Sequence, residues 1–202
     1  MEKMIIIGAG GHGKVVADIA KRSGYSDIAF LDDNHTATHC YGYPIVGTSQ
    51  DACSFPNSIF IVAVGNASVR ERLQEWLTDQ GLRIATLIHP GAIVAEDVVI
   101  GEGSVVMAGS VINPGAVLGK GVIVNTCASV DHDCKIGPYA HIAVGARIAG
   151  TVTIGGNSWV GAGAVISNNI NVCSCCMIGA GAVVVNDITE SGTYVGIPAK
   201  KI

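Results

Sequence analysis

The densest group of chemically capable side chains is the stretch Asn125-Thr126-Cys127-Ala128-Ser129-Val130-Asp131-His132-Asp133-Cys134. A histidine between two aspartates suits general-base catalysis. A carboxylate can orient the imidazole and raise its basicity, and a base near neutral pH is what acylation of an amine or hydroxyl requires. His132 is therefore the candidate base, with an orienting carboxylate beside it and Asn125 nearby in the chain; a solvent-exposed loop histidine is the alternative. A second group is Gly8-x-Gly10-x-x-Gly13, with Asp32 and Asp33 about twenty residues on. Glycines in this spacing let a backbone approach a diphosphate at a helix N-terminus. The same glycines would also serve a tight strand-to-helix turn without any ligand.

Those groups need elements to hold them. Met4–Gly8 reads as an apolar strand and Lys14–Ser23 as a helix. Ile28–Leu31 is a second strand ending in Asp32-Asp33, Tyr43–Val46 a short third, and Ile59–Val64 a fourth running into Gly65-Asn66. Ser68–Gln80 has helical spacing through Val69, Leu73, Trp76 and Leu77, with Gly81 as its C-cap. Strands alternating with helices predict a small parallel α/β, Rossmann-like unit over residues 1–87. It is under half a full dinucleotide fold, and nothing in the chain looks like a separate domain for hydride transfer. A nucleotide-sugar diphosphate fits it better than a nicotinamide cofactor does.

From residue 88 the pattern changes. Every sixth residue from Val94 to Val184 is Ile, Val or Leu, sixteen positions in succession. Two residues before each sits a small or branched residue, as at Ala116, Val122, Ala128, Cys134, Ala140 and Ala146. The residue after each aliphatic is often Gly or Asn, types that tolerate a positive φ or the tight geometry of a corner. A period of six fits a short strand plus a turn. Three such units close a triangular coil, and a little over five coils would stack around one aliphatic core. His132 then lies outside the coil near a corner. His141, Trp159 and Met177, each eighteen residues apart, form one outer column that could face a neighbouring subunit or an acyl-donor cleft. Asn168-Asn169-Ile170-Asn171 reads as a corner and His89-Pro90 as a junction. His35 and His39 lie in a polar segment with nothing to partner them.

Bulk properties narrow the classes. The chain has 202 residues, a net charge of −4 and 14% charged residues, with no basic cluster, which argues against nucleic-acid binding. Its mean hydropathy of +0.47 comes without any run of 18 apolar residues, so neither a membrane span nor a signal peptide is expected, and the cytoplasm is the expected location. Seven cysteines without an export signal do not suggest a disulfide framework. Cys173-Ser-Cys175-Cys176 lacks a second Cys/His pair at zinc spacing, and the repeat places Cys134 and Cys176 inward and Cys173 at a corner.

The whole chain resembles bacterial hexapeptide-repeat sugar acetyltransferases of the sialic acid O-acetyltransferase and UDP-4-amino-sugar N-acetyltransferase kind. The resemblance is carried by Ile6-Ile7-Gly8-Ala9-Gly10-Gly11-His12-Gly13, Phe30-Leu31-Asp32-Asp33, Val64-Gly65-Asn66 and Leu87-Ile88-His89-Pro90. It continues in Asn125-Thr126, Asp131-His132-Asp133-Cys134 and Val195-Gly196-Ile197-Pro198-Ala199-Lys200. It implies a left-handed parallel β-helix over residues 88–202, since parallel crossovers are ordinarily right-handed and the period alone sets no hand. It also implies a homotrimer with acetyl-CoA between adjacent β-helices and the nucleotide sugar on the N-terminal domain. His132 would be the base, Asp133 would polarise it, and Asn125 would lie beside the site. The Gly150 N–H would face the developing oxyanion. His141, Gly161 and Gly179 would line the acetyl-CoA cleft. Gly10, Gly11, His12, Asp32, Asp33, Gly65 and Asn66 would contact the sugar nucleotide. No metal or redox cofactor and no covalent acyl-enzyme are implied. The activity expected is N-acetylation of a UDP-linked 4-amino sugar in bacterial surface-glycan synthesis. Sialic acid O-acetylation is the alternative, and a non-catalytic sugar-nucleotide-binding β-helix is more remote.

Overall fold

The computed structural model describes residues 2–34 and 36–202; His35 lies outside them. The chain divides into two compact units, Met1–Pro90 and Gly91–Ile202.

In the first unit, β1 (Met4–Ile7), β2 (Ile28–Leu31), β5 (Ile59–Val62) and β6 (Arg83–Ile84) form a parallel sheet in the order β2-β1-β5-β6. All four residues of β1 and of β2 are buried, the near-continuous apolar run expected of a parallel strand covered on both faces. Helix α1 spans Gly11–Arg22, starting three residues earlier than the apolar spacing suggests. Gly13 accounts for this: a Cβ there would lie 2.0 Å from the Gly8 carbonyl oxygen, so only glycine lets the first turn pack against the end of β1. The expected third strand, Tyr43–Val46, is split: Tyr43–Pro44 (β4) pairs antiparallel with His39–Cys40 (β3) as a small hairpin, and Ile45 bridges Phe30 in parallel at the sheet edge. Helix α2, Ala67–Asp79, ends as expected at Gly81. That residue has φ +70°, and the amides of Gly81 and Leu82 reach back to Thr78 and Leu77.

The second unit is a parallel β-helix of about six turns. Two-residue strands pair in register eighteen residues apart on three flanks. Val105–Val106, Ile123–Val124, His141–Ile142 and Trp159–Val160 lie on the first. Ile93–Val94, Val111–Ile112, Ser129–Val130, Arg147–Ile148 and Val165–Ile166 lie on the second. Val99–Ile100, Val117–Leu118, Lys135–Ile136 and Thr153–Ile154 lie on the third. The sixth-residue aliphatics and the small residues before them form one core; Val124, Val130, Ile142, Ala128 and Ala146 are fully buried. Each buried aliphatic contributes about 1.5–3 kcal/mol relative to an exposed one. The coil count exceeds the expected little over five because strands at Leu87–Ile88 and Gly192–Val195 extend one flank at its two ends, the latter breaking the spacing. Ile178 pairs with Tyr194, sixteen residues on.

The corners assign two separate duties to small residues. A positive φ falls at every sixth residue from Gly103 to Gly181, three places after each aliphatic, and is adopted there by Cys127, Asp133, Tyr139, Thr151, Asn157, Asn169 and Cys175 as well as by glycine. The glycines directly after the aliphatics lack positive φ. They are small because the next coil crosses over them: a Cβ on Gly137 would lie 2.5 Å from the Gly156 amide, and one on Gly155 2.3 Å from that of Ser174. Stability should therefore follow crowding. Gly163→Ala, at φ +66° with open space around it, should cost about 1–2 kcal/mol. Gly155→Ala should cost more, about 3 kcal/mol or above. Denaturant unfolding of the two variants reads the order directly, and the reverse order would refute the stacking argument.

Candidate active site

His132 occupies the corner between Ser129–Val130 and Lys135–Ile136, and its immediate neighbours take different parts. The Asp131 carboxylate accepts from the His132 amide at 2.8 Å and from Asn113 Nδ2, one coil away, at 2.7 Å. The Asn113 bond and then the amide bond hold this carboxyl below the usual carboxylate range. Asp131 thus ties the corner to the neighbouring coil. Asp133 sits in the left-handed region at φ +58°, and its Oδ2 lies 2.8 Å from His132 Nδ1. That hydrogen bond is the main cause that raises the imidazole pKa above 6.5; desolvation opposes it, and the charges of Asp131 and Asp133 add smaller raising contributions. With Nδ1–H donated to Asp133, the free lone pair is on Nε2. The imidazole is about half exposed, at 55%.

The coil on the other side leaves room for that ring. A Cβ on Gly150 would lie 2.5 Å from His132 Nε2, so glycine is required for the imidazole to lie where it does. Among the described residues no acceptor takes the Gly150 N–H, whereas its carbonyl accepts from Asn169. Asn125 lies elsewhere, at the corner between Ile123–Val124 and Ser129–Val130, one flank away from His132. Its Nδ2 is 3.1 Å from His141 Nε2. His141 is buried and packs against Trp159 with ring centroids 4.1 Å apart and the planes tilted by 48°; Trp159 in turn registers with Met177. Packing alone accounts for glycine at Gly161 and Gly179, where a Cβ would meet the Ile178 carbonyl at 2.6 Å and Val195 Cγ1 at 2.8 Å. Cys134 is fully buried, with Sγ directed to the Ala149 carbonyl at 3.1 Å.

In the N-terminal unit a cleft of about 490 Å³ opens beside the first loop, lined by Gly10, Lys14, Asp32, Asn34, His39 and Cys40 among others. Asp32 accepts from the Ala9 amide at 2.6 Å and the Asn34 amide at 2.8 Å, fixing two of its walls. Gly10, Gly11 and Gly65 have ordinary φ and nothing within 4 Å of a built Cβ. Neither conformation nor internal packing asks for glycine there, and what glycine leaves at these positions is open space. Asp33 and Asn66 have structural duties. Asp33 binds the amide and hydroxyl of Ser49, and Asn66 caps α2 by accepting from the Val69 amide. His12 is mostly buried, Nε2 has no partner among the described residues, and burial together with the Arg70 charge lowers its pKa to about 4, so the ring is neutral. Sequence reasoning passed over Lys14, Cys40 and the fully buried Arg70, which donates to the Val64 and Gly65 carbonyls at 2.9 and 3.0 Å. It also read His39 as idle, whereas His39 lines the cleft and its Nδ1 is 3.1 Å from Thr38 Oγ1. For His39 and Cys40 the only signal was the polar composition after Asp33; Lys14 and Arg70 lie within the two helices, where spacing alone did not single them out. Among the described residues no group of three or more His, Cys, Asp or Glu could hold a metal ion.

Comparison with known proteins identifies the family. Residues 3–77 match the family model of the PglD N-terminal domain. The acetyltransferase domain of PglB from Neisseria gonorrhoeae, solved with acetyl coenzyme A, superposes with a TM-score of 0.97 at 44% identity, covering 100% of this chain and 99% of that one. The chain belongs to the hexapeptide-repeat sugar acetyltransferase family. PerB from Caulobacter crescentus, solved with CoA and GDP-perosamine, superposes at 0.95 with 34% identity, covering 100% of this chain and 98% of that one. UDP-N-acetylbacillosamine N-acetyltransferase of Bacillus subtilis is 38% identical over 109 residues, 52% of this chain. The chain matches only about half of that relative's length, 50%.

Two outcomes check the site as built. Because the His132 pKa is raised above 6.5, the base form appears only as pH rises through that higher value, so the acid limb of kcat/KM should lie above pH 6.5. Asp133→Asn should move that limb down and lower the rate by about tenfold or more; an unmoved limb would separate Asp133 from the base. Gly11→Ala, in open space at a helix start, should leave the thermal midpoint level or slightly raised. It should nonetheless raise KM for the sugar nucleotide by about tenfold or more, by filling the approach to the backbone; an unchanged KM would remove Gly11 from the binding surface.

Proposed function

We propose that the protein transfers the acetyl group of acetyl-CoA to the amino group of a UDP-linked 4-amino sugar used for bacterial surface glycans, with His132 as general base. The observation that carries this reading is the His132–Asp133 pair with Nε2 left free over Gly150. Nε2 takes the proton from the acceptor nitrogen as that nitrogen attacks the thioester carbonyl, and the coenzyme A sulfur departs with its electron pair. The Gly150 N–H is the donor for the carbonyl oxygen as charge develops on it. The transfer is direct: Cys134 is buried in the coil interior, and no cysteine serves as an acyl carrier.

The N-terminal cleft takes the nucleotide sugar. Gly10, Gly11 and Gly65 admit the diphosphate, Asp32 and Asn34 bound the cleft on one side, and the neutral His12 sits beneath the loop. The acetyl-CoA side is formed by the Asn125–His141 pair and the Trp159 column, with the Gly161 and Gly179 corners along its path. The protein works as a homotrimer in this reading. One flank separates the Asn125–His141 pair from His132 in a single chain, so a neighbouring copy would bring the two halves of a site face to face. The named relatives, which include sugar N-acetyltransferases and a complex with CoA and an amino-sugar nucleotide, favour an amine acceptor over the hydroxyl of a sialic acid. The cytoplasm is the location in this reading, as the compartment that supplies acetyl-CoA and nucleotide sugars. Among the described residues no helix is long and apolar enough to cross a membrane.

Thiol release from acetyl-CoA against a panel of UDP- and GDP-linked 4-amino sugars and free or CMP-linked sialic acids tests this. Turnover on an amino sugar should fall by about a hundredfold to ten-thousandfold in His132→Ala. Turnover confined to sialic acids would move the activity to O-acetylation, and turnover unaffected by the substitution would remove His132 as base.

A further inference from the structure

The geometry points to a reversible disulfide site at the corner Cys173-Ser174-Cys175-Cys176, formed by Cys173 and Cys176 and independent of the acetyl-transfer reading. None of the seven cysteines is in a disulfide, yet the sulfurs of these two lie 3.5 Å apart. Closing them to a bond requires a further approach of about 1.5 Å. The backbone already holds them together from the neighbouring coil: the Ser158 hydroxyl donates to the Cys173 carbonyl and accepts from the Cys176 amide, both at 3.1 Å. Cys173 is anchored on its other side by its amide bond to the Ile188 carbonyl at 2.9 Å. Cys175 is the residue with positive φ, at +60°, and is exposed, whereas Cys176 is 2% exposed and faces the core. Of the three possible pairs, the corner therefore assembles only one.

The two sulfurs also differ in access, which orders the chemistry. Cys173 is partly exposed and is the entry point for an oxidant. Burial, and then the neighbouring Cys173, pushes the Cys176 thiol up to about 12, so it remains protonated and able to donate to Cys173 Sγ. The co-reactant is a hydroperoxide. The Cys173 thiolate takes the terminal peroxide oxygen as the O–O bond breaks, leaving an alcohol or water and a sulfenic acid. The Cys176 sulfur then attacks the sulfenic sulfur as its thiol proton passes to the departing hydroxyl, so the S–S bond forms as the S–O bond breaks and water leaves. The two sulfurs together lose two electrons and the peroxide gains them. Because the bridge closes only a four-residue loop, its effect on the unfolded chain is small. The site is thus chemically selective without being a structural staple.

The test uses the reduced, full-length protein treated with stoichiometric hydrogen peroxide, alkylated and digested with trypsin, which leaves Ile148–Lys200 as one peptide. The expected product is two hydrogens lighter and alkylated only at Cys175, and dithiothreitol should return all three thiols. Cys175→Ser should preserve the bridge. Cys176→Ser should abolish it and leave a dimedone-reactive sulfenic acid at Cys173. Cys173→Ser should abolish bridge and sulfenic acid together, and serves as the test should the core-facing variant not fold. A bridge involving Cys175, or full alkylation of the corner under conditions that oxidise the exposed Cys53 or Cys127, would overturn the inference. So would the same mixture of pairings in native and guanidinium-unfolded protein.

Discussion

Coil upon coil, the parallel ladder holds neighbouring backbones about 4.8 Å apart, and most of the second unit follows from that spacing. At each corner the chain crosses directly over the corner before it, so a side chain there has about one backbone thickness in which to fit. Glycine after the aliphatic position answers this at Gly101, Gly119, Gly137 and Gly155, where a built Cβ meets the next coil at 2.3–2.7 Å. The same constraint makes the active corner possible. The His132 ring can lie over the adjacent coil only because residue 150 has no side chain. A solenoid that stacked more loosely would offer the histidine no fixed surface, and one with a larger residue at that place would push the ring away.

The N-terminal unit separates its glycines by the same reasoning. Gly8 has φ +109° and lies against the Ala63 carbonyl, and Gly13 lies against Gly8, so these two serve the packing of strand, helix and neighbouring loop. Gly10, Gly11 and Gly65 serve no such purpose. A glycine with ordinary φ and vacant surroundings weakens the chain by enlarging its unfolded ensemble. Gly10 lines the cleft, and its presence there favours a ligand that must come close to the backbone. Arg70 supports the same surface from below, since its guanidinium fixes the two carbonyls that lead into Gly65.

The period of six was legible without coordinates because an aliphatic residue that must face inward cannot be replaced freely, and sixteen such positions leave a dense signal. His132 was legible because its flanking acids are adjacent in the chain. What stayed hidden depends on contacts eighteen residues away or on backbone dihedrals. The positive-φ place in each hexad is filled by Asp133, Thr151, Asn157 and Cys175 as well as by glycine, so composition does not mark it. Asn125 is seven residues from His132 in the chain but pairs with His141, because the coil turns a corner between them. Asp33 and Asn66 carry the residue types of a ligand contact and are occupied with Ser49 and with the start of α2. The terminal coil shortens to sixteen residues at Tyr194, where the aliphatic spacing gives no warning.

The two aspartates flanking His132 show how one corner divides structure from chemistry. Asp131 is tied to Asn113 and to the His132 amide, and its lowered pKa reflects bonds that hold the coil together. Asp133 makes its side-chain bond to the imidazole, in a pair whose members are 55% and 65% exposed. Exposed pairs of this kind contribute little to stability, so fold stability is a weak reason for an acid there. The left-handed backbone at Asp133 is not a special strain of the site either, since every sixth residue from Gly103 to Gly181 adopts it and aspartate tolerates it better than most residues. What that conformation does is direct the carboxylate back toward the preceding side chain. A feature the solenoid repeats for packing thus sets the tautomer of a single histidine, and the free lone pair on Nε2 follows from a backbone angle shared with other corners of the coil.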